Sequence, residues 1–299
     1  MTTVIDGGLS TALVEQGHDL SDHLWTARLL ADQPEAIVAA HLAYLHAGAD
    51  IIITASYQAS VSGFVAAGFD AAEAGRLVGL ATTLAIDARQ RFELVEPAAA
   101  RRVRVAASVG PYGAVLADGS EYRGDYAIDH EGLVAFHRER LALLVASGAD
   151  LLAIETIPSA AEASAVIEAL AGHPHASGWI TFSCRSGSET CAGDRIEDAV
   201  ALATTSSQVT AVGVNCTAPG HVEELLRRAA TVTDRPLVTY PNSGQTWDSE
   251  AKQMLGEPLD LGTDGAVQRW QRAGATFIGG CCGIGPEAIA RLARTVHGR

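Results

Sequence analysis

Three cysteines at the ends of two apolar runs are the residues of this sequence best suited to chemistry. Cys216 ends the run 212–216, and the pair Cys281 and Cys282 lies between glycines in 279–283. Three thiolates without a histidine suit a soft or borderline metal, zinc first. A structural zinc site usually has four protein ligands, so three leave one coordination position open for a substrate. The pattern therefore predicts a catalytic metal site with Cys216, Cys281 and Cys282 as its ligands.

The same cysteines have other interpretations. Buried cysteines are often small apolar core residues, and Cys281 and Cys282 could form a strained vicinal disulfide. Neighbouring side chains on a regular strand point to opposite faces, so both sulfurs reach one metal only if the backbone turns there. Glycines on either side of the pair make such a turn inexpensive. We interpret the remaining Cys184 and Cys191 as free thiols, with a regulatory disulfide as the alternative.

Length, composition and charge limit the classes of function that the chain can have. The 299 residues are 48% hydrophobic and carry a formal net charge of −14, which disfavours nucleic-acid binding. No run approaches the eighteen apolar residues or so of a membrane span, and no secretory signal is visible. Five cysteines in such a chain predict a reducing compartment, so we expect a cytoplasmic protein that acts on small molecules, with neither nucleic-acid nor membrane partners.

Apolar β-rich runs alternate with helical segments eight times along the chain. The strand candidates are 3–6, 51–55, 103–108, 151–155, 179–183, 211–215, 237–240 and 276–279. The helix candidates are 34–47, 71–94, 131–146, 160–170, 196–204, 222–232, 266–273 and 286–296. Eight such repeats in about 300 residues predict an α/β fold, a (β/α)₈ TIM barrel formed as a single domain over 1–299. A doubly wound open sheet is the alternative.

Barrel enzymes build their active sites at the carboxyl ends of the strands, and the candidate residues lie there. The cysteines follow the sixth and eighth strands, two strand spacings or about 10 Å apart. Asp6 lies at the end of the first predicted strand, Tyr57 after the second and Glu155 at the end of the fourth. Two long loops, 109–129 and 241–264, also begin at strand ends. Loops of this length are usually functional when they are ordered.

The sequence resembles the homocysteine S-methyltransferase family over nearly its whole length. The matching motifs lie in 6–8, 53–58, 148–156, 213–216, 240–244 and 279–283. The longer stretch 110–126 resembles the branch of that family that uses S-methylmethionine as methyl donor. The resemblance implies a barrel in which the three cysteines hold zinc and the sulfur of homocysteine is the fourth ligand.

The resemblance also assigns substrate contacts. The implied residues are Asp6, Gly7, Gly8, Trp25, Thr26, Tyr57 and Glu155. The two carboxylates would hold the substrate ammonium group, the glycine backbone and the threonine its carboxylate, and the two aromatic rings the pocket wall. Each carboxylate has an ordinary alternative, because Asp6 could cap a turn and Glu155 could pair with an arginine of the barrel.

The expected function is zinc-dependent methyl transfer from S-methylmethionine to homocysteine, giving methionine, with S-adenosylmethionine as a further candidate donor. The loop carboxylates Asp118, Glu121 and Asp125 suit a cationic donor. A betaine-dependent enzyme would share the cysteines but is disfavoured by the loop at 110–126. From a different class, a zinc-binding or redox-sensing protein without catalysis remains the alternative.

Overall fold

A parallel sheet closed into a barrel forms the centre of the molecule. The computed structural model describes residues 2–20, 26–100, 102–248, 253–255 and 265–298. The barrel strands are β1 Thr3–Val4, β2 Ile51–Ile53, β3 Arg104–Val109, β4 Leu151–Ile157, β5 Gly178–Phe182, β6 Val209–Asn215, β7 Leu237–Tyr240 and β10 Ala275–Ile278. A separate antiparallel pair, β8 Thr246–Asp248 and β9 Gln253–Leu255, lies between β7 and β10 in the chain.

The sheet runs in the order β1-β10-β7-β6-β5-β4-β3-β2, with every pairing parallel. A parallel bridge between Ile5 and Ile51 joins the two outer strands, and the Asp6 amide donates to the Ile51 carbonyl at 3.0 Å. These contacts close the sheet. The predicted (β/α)₈ barrel is therefore confirmed, and the open doubly wound sheet is excluded.

Helices cover the outside of the barrel. They are α1 Leu9–Glu15, α2 Thr26–Asp32, α3 Pro34–His46, α4 Val61–Ala66, α5 Ala71–Val95, α6 Pro97–Ala100, α7 Tyr112–Leu116, α8 His130–Ala146, α9 Ala160–Leu170, α10 Ile196–Ala203, α11 Pro219–Ala229, α12 Ala266–Arg272 and α13 Pro286–His297. Side-chain caps fix several starts: Asp70, Asp129 and Ser159 each accept a hydrogen bond from the amide three residues on. None of the helices described is long and apolar enough to cross a membrane.

The core has two layers. The larger layer lies between strands and helices, and a smaller one fills the barrel interior. Inside the barrel Trp179 and Tyr240 stand among small residues such as Ala106, Ala153 and Ala211. The Trp179 indole donates to the Tyr240 hydroxyl at 3.0 Å, so neither buried polar group is left unpaired. Tyr240 is the last residue of β7, so its ring forms the upper layer of the interior core, next to the carboxyl ends of the strands.

Two departures from the sequence prediction lie at that end of the barrel. β4 continues to Ile157, two residues beyond the predicted end at Glu155, with a shift of register against β5 after Ile154. The loop expected over 109–129 contains α7 and a short 3₁₀ turn, Ser120–Tyr122. Its length thus corresponds to a folded segment that covers the carboxyl end of the barrel.

Candidate metal centre and substrate pocket

Three sulfur atoms converge at the carboxyl end of the barrel. The Sγ atoms of Cys216, Cys281 and Cys282 all lie within 4.8 Å of one another. Cys216 Sγ is 3.7 Å from Cys282 Sγ, and the adjacent Cys281 and Cys282 sulfurs are 4.0 Å apart. Tetrahedral zinc with bonds of about 2.3 Å places its sulfur ligands about 3.8 Å apart. The donor set and its spacing therefore fit a zinc ion, and the vicinal disulfide is not formed.

A tight turn brings the adjacent cysteines to the same side. The Cys281 amide donates to the Pro241 carbonyl at 2.8 Å, and the Cys282 carbonyl accepts from the Ser243 amide at 2.9 Å. Gly283 has φ +78°, a left-handed conformation that side chains rarely adopt. At Gly280 an added Cβ would clash with the Ile284 side chain. The glycines thus give the turn the conformation and the space that the pairing of two neighbouring sulfurs needs.

Cys216 is held in an unusual backbone conformation directly after β6. Its φ is +45°, and Thr156, at the end of the neighbouring motif, has φ +60°. Asn215, directly before Cys216, binds Thr156 of β4 by two hydrogen bonds. Its Oδ1 accepts from the Thr156 amide at 2.7 Å, and its side-chain nitrogen donates to the Thr156 hydroxyl at 2.8 Å. Strained residues persist where surrounding contacts fix them, and they cluster at functional sites. Asn215 therefore ties the position of Cys216 to that of Glu155.

The three sulfurs differ in how readily they ionise. Hydrogen bonds from Cys216 and Cys281 hold the pKa of Cys282 well below its ordinary value. Hydrogen bonding with Cys216 and Cys282 raises the pKa of Cys281 well above its ordinary value. A protein cluster of this kind stabilises one thiolate and opposes the others. A bound divalent cation reverses this, because coordinated thiols lose their protons.

Tyr122 reaches the cluster from the loop after β3. Its hydroxyl lies 3.3 Å from Cys216 Sγ. The negative charge of Cys216 raises the pKa of Tyr122 well above its ordinary value, so the hydroxyl keeps its proton and donates to the sulfur. Hydrogen bonds to ligand atoms orient the ligands of a metal and tune its affinity.

We expect Tyr122→Phe to weaken metal binding by about 10-fold, the lower end of the effect of losing a contact to a metal ligand. Competition with a chromogenic zinc chelator measures the affinity. Tyr112→Phe is the matched control, because Tyr112 is on the same loop but its ring packs against Tyr126 and Phe136. Equal affinities of the wild type and Tyr122→Phe would show that this hydrogen bond does not support the site.

Two buried carboxylates stand beside the sulfurs. Asp6 is 1% exposed, and its Oδ2 accepts from the Ile53 amide at 2.8 Å while its Oδ1 is buried without a partner. Glu155 accepts a short hydrogen bond from the Ser108 hydroxyl. Burial raises the pKa of Asp6 well above its ordinary value and that of Glu155 to about 7. The described residues form no salt bridge with either, so the barrel arginine suggested for Glu155 is not found. A cationic ligand suits this pair.

The two glycines after Asp6 pack against the cysteine turn. A Cβ on Gly7 would clash with the Ile284 carbonyl, and one on Gly8 would lie 2.7 Å from the Cys281 carbonyl. The Gly8 amide donates to Ile284 and its carbonyl accepts from the Tyr44 hydroxyl. Both backbone groups of Gly8 are thus already used within the protein. A contact of this segment with a substrate carboxylate remains a prediction that rests on Gly7.

The other predicted pocket residues differ in what can be said of them. Tyr57 lies at the site, where burial and the charge of Glu121 raise its pKa well above its ordinary value. Thr26 is the first residue of α2 and is half-buried. Trp25 lies outside the described residues. Cys184 and Cys191 are free thiols and do not belong to the cluster.

Sequence reasoning missed the residues that hold the loops around the pocket. Arg140 on α8 is fully buried and donates to four backbone carbonyls, those of Ser56, Tyr57, Ala59 and Gly110, at 2.7–3.1 Å. It fixes the segments after β2 and β3 to each other. An arginine at helical spacing from Leu133, Leu141 and Leu144, on the apolar face of α8, was the available signal. Asn215 and Tyr122 lay within recognised motifs but carried no assigned role.

Comparison with known proteins identifies the family of this chain. Residues 3–296 match the family model described as homocysteine S-methyltransferase. Homocysteine S-methyltransferase YbgG of Bacillus subtilis is 41% identical over 292 residues, 97% of this chain and 93% of that protein. A selenocysteine Se-methyltransferase of Brassica oleracea is 41% identical, covering 99% and 88% respectively. The solved metallated form of the Escherichia coli homocysteine methyltransferase MmuM is 42% identical, with a TM-score of 0.89 over 98% of this chain and 96% of that one.

Proposed function

The chain belongs to the homocysteine S-methyltransferase family, and we propose that it transfers a methyl group from S-methylmethionine to homocysteine at a zinc centre. That the protein is a methyltransferase acting on homocysteine follows from its family. The choice of zinc and of a sulfonium donor is our proposal. The observation that carries it is the cluster of Cys216, Cys281 and Cys282, whose sulfur spacing of 3.7 and 4.0 Å suits tetrahedral zinc.

Three thiolates leave one coordination position, which we assign to the homocysteine sulfur. Zinc, when bound there, supplies the positive charge that lowers the pKa of the homocysteine thiol, so that its proton leaves to solvent. Asp6 and Glu155, both buried beside the cysteines, hold the substrate ammonium group in this proposal. Their negative charges are otherwise unpaired among the described residues, and burial makes an unpaired carboxylate unfavourable. The amino-acid end of homocysteine would therefore be fixed while its sulfur faces the donor.

Methyl transfer is then an in-line displacement. The homocysteine sulfur forms a bond to the methyl carbon, and the bond from that carbon to the donor sulfonium breaks, its electron pair staying on the donor sulfur. With S-methylmethionine as donor, the methylated acceptor and the demethylated donor are both methionine. The residues of the pocket contribute by positioning the two substrates, which supplies much of the rate of such a reaction. Opposite charges neutralise as the bond forms, so surroundings that solvate charge less well than water favour the transition state.

The loop after β3 supports a sulfonium donor. It is anchored at one end by the buried carboxylate of Glu162, which accepts from the Tyr112 amide at 2.6 Å and from His137 at 3.0 Å. At the other end Gly124 packs against Pro158 and Ala192. Between these anchors the 3₁₀ turn carries acidic and aromatic side chains to the metal centre. A negative, ordered loop suits a cation more than a neutral donor.

A panel of methyl donors with homocysteine as acceptor tests the proposal. We expect S-methylmethionine to be the best donor and S-adenosylmethionine a slower one. Betaine and methylfolate should be inactive, because a methyl on a quaternary ammonium or a neutral amine is a poorer electrophile. Methionine formed is measured by chromatography, and S-methylmethionine should give two methionines for each homocysteine consumed. Robust turnover with betaine would contradict the assignment of a sulfonium donor. If the zinc-loaded protein turned over none of the donors, the proposal that it methylates homocysteine would be wrong.

A further inference from the structure

One carboxylate of the loop after β3 differs from the others in its surroundings. Asp118 and Asp125 are exposed, and Asp125 pairs with Arg123 at 3.1 Å. Glu121 is only 9% exposed, and its Oε2 is buried with no hydrogen-bond partner in the part of the chain that the structure describes. The three loop acids, which are equivalent in the sequence, are therefore not equivalent in the fold.

The backbone around Glu121 is tightly packed. At Gly113 on α7, an added Cβ would clash with the Glu121 amide and lie 2.7 Å from the Tyr126 ring. The Asp118 carboxylate caps the 3₁₀ turn by accepting from the Ser120 amide at 2.9 Å. Several contacts therefore fix the backbone at Glu121, so the position of its carboxylate is defined by the fold.

Glu121 belongs to the rim of the metal centre. The next residue, Tyr122, places its hydroxyl 3.3 Å from Cys216 Sγ. The charge of Glu121 acts on the Tyr57 hydroxyl, and the charge of Cys282 acts on Glu121. Glu121 is thus close to the place where a methyl donor must meet the acceptor sulfur, on the side of the donor loop.

A buried carboxylate oxygen without a partner is unfavourable unless a charged or hydrogen-bonding group arrives to meet it. The ammonium group of the acceptor is already assigned to Asp6 and Glu155. The remaining cations belong to the donor, which carries a sulfonium and an α-ammonium group. The sulfonium is the one that must lie at the cysteine cluster, because its methyl group is transferred to the acceptor sulfur there. Since Arg123 is paired with Asp125, it does not neutralise Glu121 by direct contact among the described residues.

We propose that Glu121 binds the positive charge of the sulfonium donor and is the specificity-determining carboxylate of the donor site. The proposal rests on the proposed function, because it requires a cationic donor. It also predicts in which kinetic constant the effect appears. The sulfonium charge is complete in the bound donor and disperses in the transition state, so Glu121 stabilises the ground state at least as strongly. Its loss should raise KM for the donor, and kcat should be unchanged or slightly higher.

Glu121→Gln tests this with little change of shape, and Glu139→Gln, the same substitution at an exposed position of α8, is the matched control. For Glu121→Gln we expect KM for S-methylmethionine to rise roughly 10- to 100-fold, because the donor loses the Coulomb attraction of a buried opposite charge. Calorimetric titration of the zinc-loaded protein with S-methylmethionine should show the same loss of affinity. Zinc content, melting temperature and KM for homocysteine should match the wild type. Glu139→Gln should match it in every measurement.

A neutral methyl donor separates charge recognition from general damage. Methyl iodide carries no charge, so the rate of methionine formation from it and homocysteine should be the same in Glu121→Gln and the wild type. An unchanged KM for S-methylmethionine in a well-folded Glu121→Gln, or equal losses with both donors, would overturn the role of Glu121. If Glu121→Gln does not fold, the shorter Glu121→Asp must show the raised donor KM. Failure of the wild type to bind or use S-methylmethionine would instead overturn the proposed function.

Discussion

Replacing Cys216, Cys281 or Cys282 singly by serine is expected to remove the bound metal and nearly all turnover. Serine keeps the size of the side chain, but its hydroxyl does not ionise at neutral pH and is a poor zinc ligand. Zinc sites with four ligands bind with apparent free energies of about 10–16 kcal/mol, so one lost thiolate removes about 3 kcal/mol. This corresponds to an affinity roughly 100-fold weaker in a centre that has only three protein ligands.

Metal content after gel filtration and methionine formation are measured on the same samples. Cys184→Ser and Cys191→Ser are the controls, because both residues are free thiols outside the cluster. Each control should keep one zinc per chain. A ligand variant that retained full zinc and near-normal turnover would show that its cysteine does not belong to the centre. The same samples also test the redox-sensing alternative, which predicts reversible oxidation without methyl transfer.

The fold was accessible from sequence because its signal is periodic. Each strand is a short apolar run, and several helices end near a glycine such as Gly48, Gly148 or Gly274, all of which have positive φ. Eight repeats admit few architectures, and strand ends then meet at one face. The ends of the strands follow less directly from the sequence: β4 extends to Ile157, beyond the predicted strand 151–155. A register shift depends on the neighbouring strand and leaves no mark in the local sequence.

The site was predictable where residue type alone decides the chemistry. Adjacent cysteines between glycines and a third cysteine at another strand end specify a thiolate cluster, and the structure brings them together. Which loop acid is buried could not be read, since Asp118, Glu121 and Asp125 look alike in sequence. The difference arises from α7 and the 3₁₀ turn, whose packing depends on contacts far along the chain. Asn215 was likewise invisible, because its partner Thr156 is 59 residues away.

Glu155→Gln is expected to lower kcat/KM for homocysteine by roughly 100-fold, while KM for the methyl donor changes little. The amide keeps the volume and can still accept from Ser108, but it loses the charge that we assign to the substrate ammonium. Removing one partner of a buried charged pair costs about 3 kcal/mol. A steady-state analysis with each substrate varied in turn separates the two effects, and Glu162→Gln is not a suitable control because Glu162 anchors the donor loop.

The dependence of this effect on pH distinguishes substrate binding from a structural role. Burial raises the pKa of Glu155 to about 7 in the free protein, and kcat/KM reports the ionisation of the free enzyme. Wild-type kcat/KM for homocysteine should therefore fall as the pH drops through about 7, and Glu155→Gln should lack this limb. Because the raised pKa means that folding disfavours the ionised carboxylate, its cost to stability accrues as the pH rises from the unfolded value of 4.5 towards 7. Above pH 7 the melting temperature of Glu155→Gln without substrate should equal or exceed that of the wild type. A lower melting temperature with an unchanged homocysteine KM would identify Glu155 as a structural residue.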